Sequence, residues 1–235
     1  MTERDLHWPS CLNVRDLGGL PADGGSIRPG ALIRADALSK LTADGVAAVR
    51  AAGVSRIIDL RRKGERGAGP HPFADDPIYR NIPVQDPADP DHEWLTLAEI
   101  YCAMLDLRPQ LFGEAFIAVA EAPPGGVVVH CAGGKDRTGI ITALALSVAG
   151  VEDEVIAADY SLSESRLRDA DKDRLAHIPD PKRRQLMAGL MPTPPQVMLD
   201  MLTHLRERHG GVRPYLTAAG ATETQFTAVR DRLVA

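Results

Sequence analysis

Aromatic residues make up only 4% of this 235-residue sequence, although 44% of it is hydrophobic, so aliphatic side chains have to fill the core. Cysteine is scarce as well. Cys11, Cys102 and Cys131 are odd in number and form no C-x-x-C pair. That excludes a disulfide framework and a cysteine-rich structural zinc site, and reduced thiols predict a cytoplasmic protein. The N-terminal run has no apolar core of the kind a secretory signal needs; export without a cleaved signal stays open. No apolar run reaches transmembrane length, so stable membrane insertion is not expected. Positive charge is not in excess either. Twenty-seven Lys and Arg against 32 Asp and Glu give a net charge of −5, which argues against nucleic-acid binding. One local basic pocket would still suffice for an anionic substrate. Internal repeats and low-complexity segments are absent.

What is present alternates between two periodicities. Residues 1–35 are rich in Gly and Pro and predict irregular chain with short strands, Leu32-Ile33-Arg34 among them as an edge strand. Residues 41–52 predict a helix, with Thr42 as N-cap and Gly53 as the stop. Residues 55–60 read as a buried strand and 78–84 as another. A Pro/Asp-rich stretch follows at 85–92, then helical patterning from about Leu95 to Ala122. Val127-Val128-Val129-His130 has the β-branched character of a central parallel strand. Residues 137–149 are small and apolar and predict a helix. Residues 154–209 read as helical, with breaks at 179–181 and 192–195, and 222–233 as a final helix. Strands alternating with helices predict an α/β layer fold in a single domain spanning 1–235. The segment at about 165–205 is a candidate helical insertion or lid.

The chemistry concentrates in His130-Cys131-Ala132-Gly133-Gly134-Lys135-Asp136-Arg137-Thr138-Gly139. A cysteine at the C-terminal end of a parallel strand lies where α/β sheets bind ligands. The short side chains after it let backbone amides converge on an oxyanion such as phosphate. The helix that follows aims the positive end of its dipole at the same point. Amides, dipole and Arg137 together favour the thiolate of Cys131 over the thiol. Arg137 can grip two phosphate oxygens and stabilise transition-state charge. The Thr138 hydroxyl can hydrogen-bond the sulfur. Covalent hydrolysis through a cysteinyl-phosphate is implied, with no metal and no cofactor.

At residues 130–138 the sequence resembles the protein tyrosine phosphatase superfamily, whose hallmark is H-C-x-x-x-x-x-R-[ST]. Asn13-Val14-Arg15-Asp16-Leu17-Gly18-Gly19, Arg34, Leu38, Leu41-Thr42, Ile58-Asp59-Leu60-Arg61 and Glu65 resemble its bacterial tyrosine/serine branch, which includes mycobacterial and listerial enzymes acting on phosphotyrosine and phosphoinositides. The likeness covers most of residues 10–165. It implies a three-layer α/β/α fold around a mostly parallel central sheet, with a helical insertion after the phosphate-binding loop. It also implies phosphotyrosine substrates, extending to phosphoserine/threonine, with a phosphoinositide or inositol phosphate as the alternative. The loop itself, Ala132 to Thr138, would bind the phosphate. Lys135 resembles the equivalent in phosphatases that accept phosphoinositides. A rhodanese-like sulfurtransferase and an inactive phosphate-binding module are rivals that the rest of the motif disfavours.

The leaving oxygen needs a proton, and the family takes it from an Asp on a loop after an earlier strand. Asp86 matches that position without a Trp-Pro-Asp sequence. Asp136 is the competitor: like charge beside a bound phosphate favours its protonated form, or it simply pairs with Lys135 or Arg137. Asp59 at another strand end is a third candidate, otherwise a supporting residue, as is His130, whose imidazole is expected to brace the loop. Arg61 and Arg62 either line the pocket or, for Arg61, pair with Glu65. Met187, Met191, Met198 and Met201 read as packing residues, Lys182-Arg183-Arg184 as a solvated face, and Cys11 and Cys102 as inert. The Asn13 to Gly19 motif has no assignable chemical role from sequence.

Overall fold

The computed structural model describes residues 4–65, 71–86, 89 and 96–235. Most of the Pro/Asp-rich stretch at 85–92 and the helix start read at Leu95 lie outside the described residues. The elements run β1 (Arg15–Asp16), β2 (Pro21–Ala22), β3 (Gly25–Ser26), β4 (Leu32–Ala35), α1 (Ala43–Ala51), β5 (Val54–Asp59), β6 (Tyr79–Asn81), α2 (Leu97–Leu107), α3 (Pro109–Ala120), β7 (Gly126–His130), α4 (Asp136–Val148), α5 (Asp153–Ala176), α6 (Pro181–Gly189), α7 (Pro195–His209), α8 (Val212–Ala218) and α9 (Glu223–Leu233).

Five strands form one sheet in the order β1-β4-β7-β5-β6. β4, β7, β5 and β6 are parallel, and β1 is antiparallel to β4. Alternation along the strands divides the core. Ile33, Ile57 and Val128 face α1 with Trp8, Val49 and Phe73. Leu32, Ile58, Val127 and Val129 face the other helices. The sheet is therefore covered on both faces, and the expected three-layer α/β/α class holds. β7 and its neighbour β4 are buried at every position.

Three expectations need correction. Leu32-Ile33-Arg34 is not an edge strand, because β1 pairs outside it, Arg15 opposite Arg34; a two-residue strand is too short to show in a hydropathy pattern. The strand read at 78–84 shrinks to Tyr79–Asn81, since Pro83 has no amide to continue the ladder. The helix read across 95–122 is two helices, interrupted at Arg108-Pro109, with Pro109 opening α3. The remaining boundaries stand close to expectation. Thr42 caps α1 by accepting from the Gly45 amide, and α5, α6 and α7 break where the prolines predict.

Candidate active site

β7 delivers Cys131 to the C-terminal edge of the sheet, and α4 leaves it again after the turn 132–135. The sulfur-bearing residue is 2% exposed and lies on a cavity of about 270 Å³ that also meets Ala132, Gly133, Lys135, Asp136 and Arg137. A larger hollow of about 560 Å³ lies elsewhere, among Arg28, Gly53, Gly125 and Arg232. It sits at the start of the strands and lacks a cysteine, so the smaller cavity is the candidate site.

The turn is held open from behind. Ala132 carbonyl accepts from the Ala37 amide at 3.0 Å. Asn13 Nδ2 donates to the carbonyls of Gly133 (2.9 Å) and Gly134 (3.1 Å). Arg34 donates to those of Gly134 (2.9 Å) and Lys135 (3.2 Å). In a trans peptide the carbonyl and the next amide point oppositely. Tying four successive carbonyls to the scaffold therefore turns the amides of Gly133, Gly134, Lys135 and Asp136 the other way. α4 begins without a side-chain cap, leaving its first amides for an anion. Gly134 has φ +63°, and a Cβ there would lie 2.4 Å from the Ala35 carbonyl oxygen; no other residue fits.

The motif at 13–19 thus acquires a role. Asn13 is positioned by its own amide donating to Asp36 (2.9 Å) and by Arg15 donating to its Oδ1 (2.7 Å). Arg15 and Arg34 converge on Asp159 of α5, at 3.1 and 3.0 Å, and Arg4 reaches the same carboxylate at 2.8 Å. Burial opposes ionisation of Asp159, but Arg15 and Arg34 win and hold it well below the usual carboxylate range. Burial and the Arg34 charge push Arg15 down to about 9, with Asp159 opposing. Asp16 accepts from the amides of Gly18 (2.9 Å) and Gly30 (2.7 Å) and closes the next turn, where a Cβ on Gly18 would overlap Pro29.

Arg137 makes two 2.7 Å bonds to Glu65, one from each terminal nitrogen. Burial works against both charges. Cys131 and then Glu65 nevertheless raise Arg137, and Arg137 brings Glu65 down to about 2. Glu65 is therefore not the partner of Arg61. Arg61 instead binds Asp59 through Nε (2.9 Å) and a terminal nitrogen (2.8 Å), and Arg62 holds Glu65. Neither Arg61 nor Arg62 lines the cavity.

The three candidate acids separate cleanly. Asp86 is exposed, its amide donates to Asp89, and only its neighbour Gln85 reaches the cavity. Asp59 is buried beneath the loop and bound by Arg61 and by the Tyr79 hydroxyl (2.9 Å). Burial works against its charge, but His130 and Arg61 bring it down to about 2. Asp136 alone lies on the cavity wall. Its Oδ1 accepts from the Tyr101 hydroxyl at 2.5 Å, which is itself 2.9 Å from Tyr160, and Lys135 Nζ is 3.5 Å away. Lys135 also donates to the carbonyls of Leu190 (2.7 Å) and Met191 (3.2 Å), tying the turn to the end of α6.

His130 braces the loop only lightly, with Nδ1 3.3 Å from the Cys131 carbonyl and its ring stacked on His71 at 5.5 Å. Burial pushes it down, against the attraction of Asp59. Asp59, His71 and His130 bring ligand-type atoms within 4.8 Å of one another, but Arg61 already occupies both oxygens of Asp59 and would repel a cation. Thr138 Oγ1 is buried without a hydrogen-bond partner among the described residues. Met198 and Met201 pack in the core as expected, whereas Met187 and Met191 line the cavity. Burial pushes the Cys11 and Cys102 thiols up, to about 12 and about 11, with nearby carboxylates adding to it.

Sequence reasoning missed the partnership of Glu65, the Tyr101–Asp136 bond and the role of Asp159. Only the last left a trace: an acid among the apolar residues Ile156, Ala157 and Tyr160 of α5.

A model of the tyrosine phosphatase family matches residues 6–235. The chain is 30% identical to a tyrosine-protein phosphatase of Nostoc commune over 91% of this chain and 75% of that protein. It is 25% identical to the triple specificity protein phosphatase PtpB of Mycobacterium tuberculosis, along the whole of both. The chain belongs to the tyrosine phosphatase family.

Proposed function

We propose that this protein hydrolyses phosphotyrosine through a cysteinyl-phosphate on Cys131, without a metal. The observation that carries the proposal is the set of four braced carbonyls, 132 to 135, whose opposed amides face the cavity in front of Cys131. Three phosphoryl oxygens meet those amides and Arg137, and the Cys131 thiolate attacks phosphorus in line with the leaving oxygen. The S–P bond forms as the P–O bond breaks. Arg137 enters this step already oriented by Glu65. Asp136 supplies the proton to the leaving oxygen: of the three acids read from the sequence it is the one on the cavity wall, and it belongs to the phosphate-binding turn itself, whereas Asp171, the other wall aspartate, stands on α5. Water then attacks phosphorus and expels the thiolate, with Asp136 taking the proton back and the Thr138 hydroxyl stabilising the departing sulfur. Leu97, Ile100, Met104, Leu167, Met187 and Leu190 give the cavity apolar walls suited to an aromatic ring. The second half of α5 with α6 covers the cavity as a lid.

A second reading, phosphoinositide hydrolysis, rests on Lys135 and Arg174. They are the cations besides Arg137 on the cavity wall and can meet a second phosphate. The name of the mycobacterial relative, a triple specificity phosphatase, also supports substrates beyond phosphotyrosine.

The test is hydrolysis of para-nitrophenyl phosphate in EDTA. Wild type turns over and Cys131→Ser does not; activity that requires added metal, or that survives the substitution, sinks the mechanism. Asp136→Asn loses the basic limb of the pH–rate profile, and Asp86→Asn keeps it; the reverse result returns the acid to Asp86. Competition between phosphotyrosine peptides and phosphoinositide vesicles ranks the substrates.

A further inference from the structure

We propose a surface site for a divalent transition ion of the zinc class, formed by Asp106 of α2 with His204 and His209 of α7. Asp106 Oδ1 stands 3.0 Å from His204 Nε2 and 2.8 Å from His209 Nε2. The three candidate ligand atoms all lie within 4.8 Å of one another. Zinc bonds of about 2.0–2.1 Å in tetrahedral geometry put neighbouring ligand atoms about 3.3 Å apart. The two separations from Asp106 need only a slight expansion around an ion, and the two imidazole nitrogens lie within 4.8 Å of each other. Two imidazoles and one carboxylate give the mixed N/O set that suits zinc and its first-row neighbours, and the remaining position falls to water.

The helix ends here favour a cation. Asp106 is in the last turn of α2, and His209 is the last residue of α7. The negative ends of two helix dipoles therefore meet here, and a carboxylate at a helix C-terminus is itself electrostatically misplaced without a positive partner. Arg208 holds the other carboxylate oxygen, Nε to Oδ2 at 3.1 Å; its charge opposes the ion, but unlike Arg61 at Asp59 it engages a single oxygen. That leaves Oδ1 to the imidazoles and fixes its direction, as an outer partner does for a ligating carboxylate. The His209 ring meets Tyr215 edge-on at 5.1 Å. All three ligand side chains keep about a quarter of their surface exposed, 24–28%, so an ion can reach them. On binding, the ion takes the Nε2 lone pairs that otherwise carry the protons bridging to Asp106: a neutral imidazole moves its proton to Nδ1, and an imidazolium releases one to solvent. It then clamps α2 to the end of α7. α2 carries Tyr101, Ile100 and Met104 on the cavity wall, so the clamp stiffens that wall from outside, remote from the chemistry.

The experiment uses the full, untagged chain carrying Cys131→Ser, which removes a competing thiolate, stripped with EDTA and titrated with ZnCl2 by calorimetry. One equivalent binds, and the melting temperature rises by a few degrees at saturation. Cobalt in place of zinc gives the visible bands of a tetrahedral N/O site. His204→Gln and His209→Gln each weaken binding by about 100-fold or more, with far-UV circular dichroism unchanged in EDTA. Asp106→Asn does the same and serves if either histidine variant fails to fold. The proposal is overturned if no saturable binding occurs, if binding survives all three substitutions, or if it is lost only with His71→Gln, which would put the ion beneath the loop.

Discussion

The two sides of the cavity are built on opposite principles. The Cys131 side is buried and over-determined: Asn13, Arg15, Arg34 and Asp159 are all at most 2% exposed, and each has at least two polar partners. The α6 side is the reverse, with no buried residue in the helix and a link to the turn through Lys135. The difference separates two tasks. Four amides aimed within a few tenths of an ångström need a rigid support. A wall that admits different substrates is better left loosely packed.

The largest expected effect comes from removing the centre of the rigid side. Asp159→Ala leaves Arg15 and Arg34 buried without their counter-ion, at a cost of about 3–5 kcal/mol, read by urea denaturation. Acid attacks the same architecture. The Asp159, Asp59 and Glu65 carboxyls are held below their unfolded values of about 3.9–4.3. Their stabilisation is complete above that range and is lost as pH falls through the folded values, near pH 2 for Asp59 and Glu65. A folded-state stability that stays flat from pH 5 to pH 2 would contradict the network.

Next in size is the turn itself. Gly134→Ala forces a left-handed alanine, at about 1–2 kcal/mol, and overlaps the Ala35 carbonyl, so kcat falls by about 100-fold or more. Gly133→Ala meets Leu167 at 3.6 Å and the Lys135 Cβ at 3.9 Å, both ordinary contacts, and keeps kcat within about tenfold. Asn13→Ala comes third. It frees the Gly133 carbonyl from a side-chain donor, and the amides behind it lose their aim. We expect kcat to fall by about 10–100-fold, within the range for weakened oxyanion donors, with KM little changed. Equal losses for Gly133→Ala and Gly134→Ala would remove the argument from backbone geometry.

How much of this was legible before folding follows the same division. Cys131, Arg137, the loop and the strands around it were readable because their constraints are local: a nucleophile, a strand and a helix start within ten residues. The bracing was not. Asn13 meets Gly133 across 120 positions and Arg15 meets Asp159 across 144, and no periodicity carries that information. The choice among Asp86, Asp136 and Asp59 stays open in the sequence for the same reason. All three sit near strand ends or the loop, and only the Tyr101 hydroxyl and the cavity wall distinguish Asp136. Asp106 is likewise about a hundred positions from His204 and His209.

The smallest effects are expected on the loose side, and they sharpen the contrast most. Met187 and Leu190 line the cavity from α6 and its C-cap and are only half-buried. Truncating both to alanine removes little that the fold depends on, so stability should change by less than about 1 kcal/mol. Lys135 keeps its bond to Leu190 because that acceptor is a main-chain carbonyl. Para-nitrophenyl phosphate is small enough to be held by the loop, so its kcat should be unchanged. A phosphotyrosine peptide reaching the α6 wall loses apolar contact worth about 1 kcal/mol, and its KM should rise several-fold with kcat intact. Parallel losses for both substrates would mean that α6 supports the catalytic turn through Lys135, and the two sides of the cavity would then be one mechanical unit.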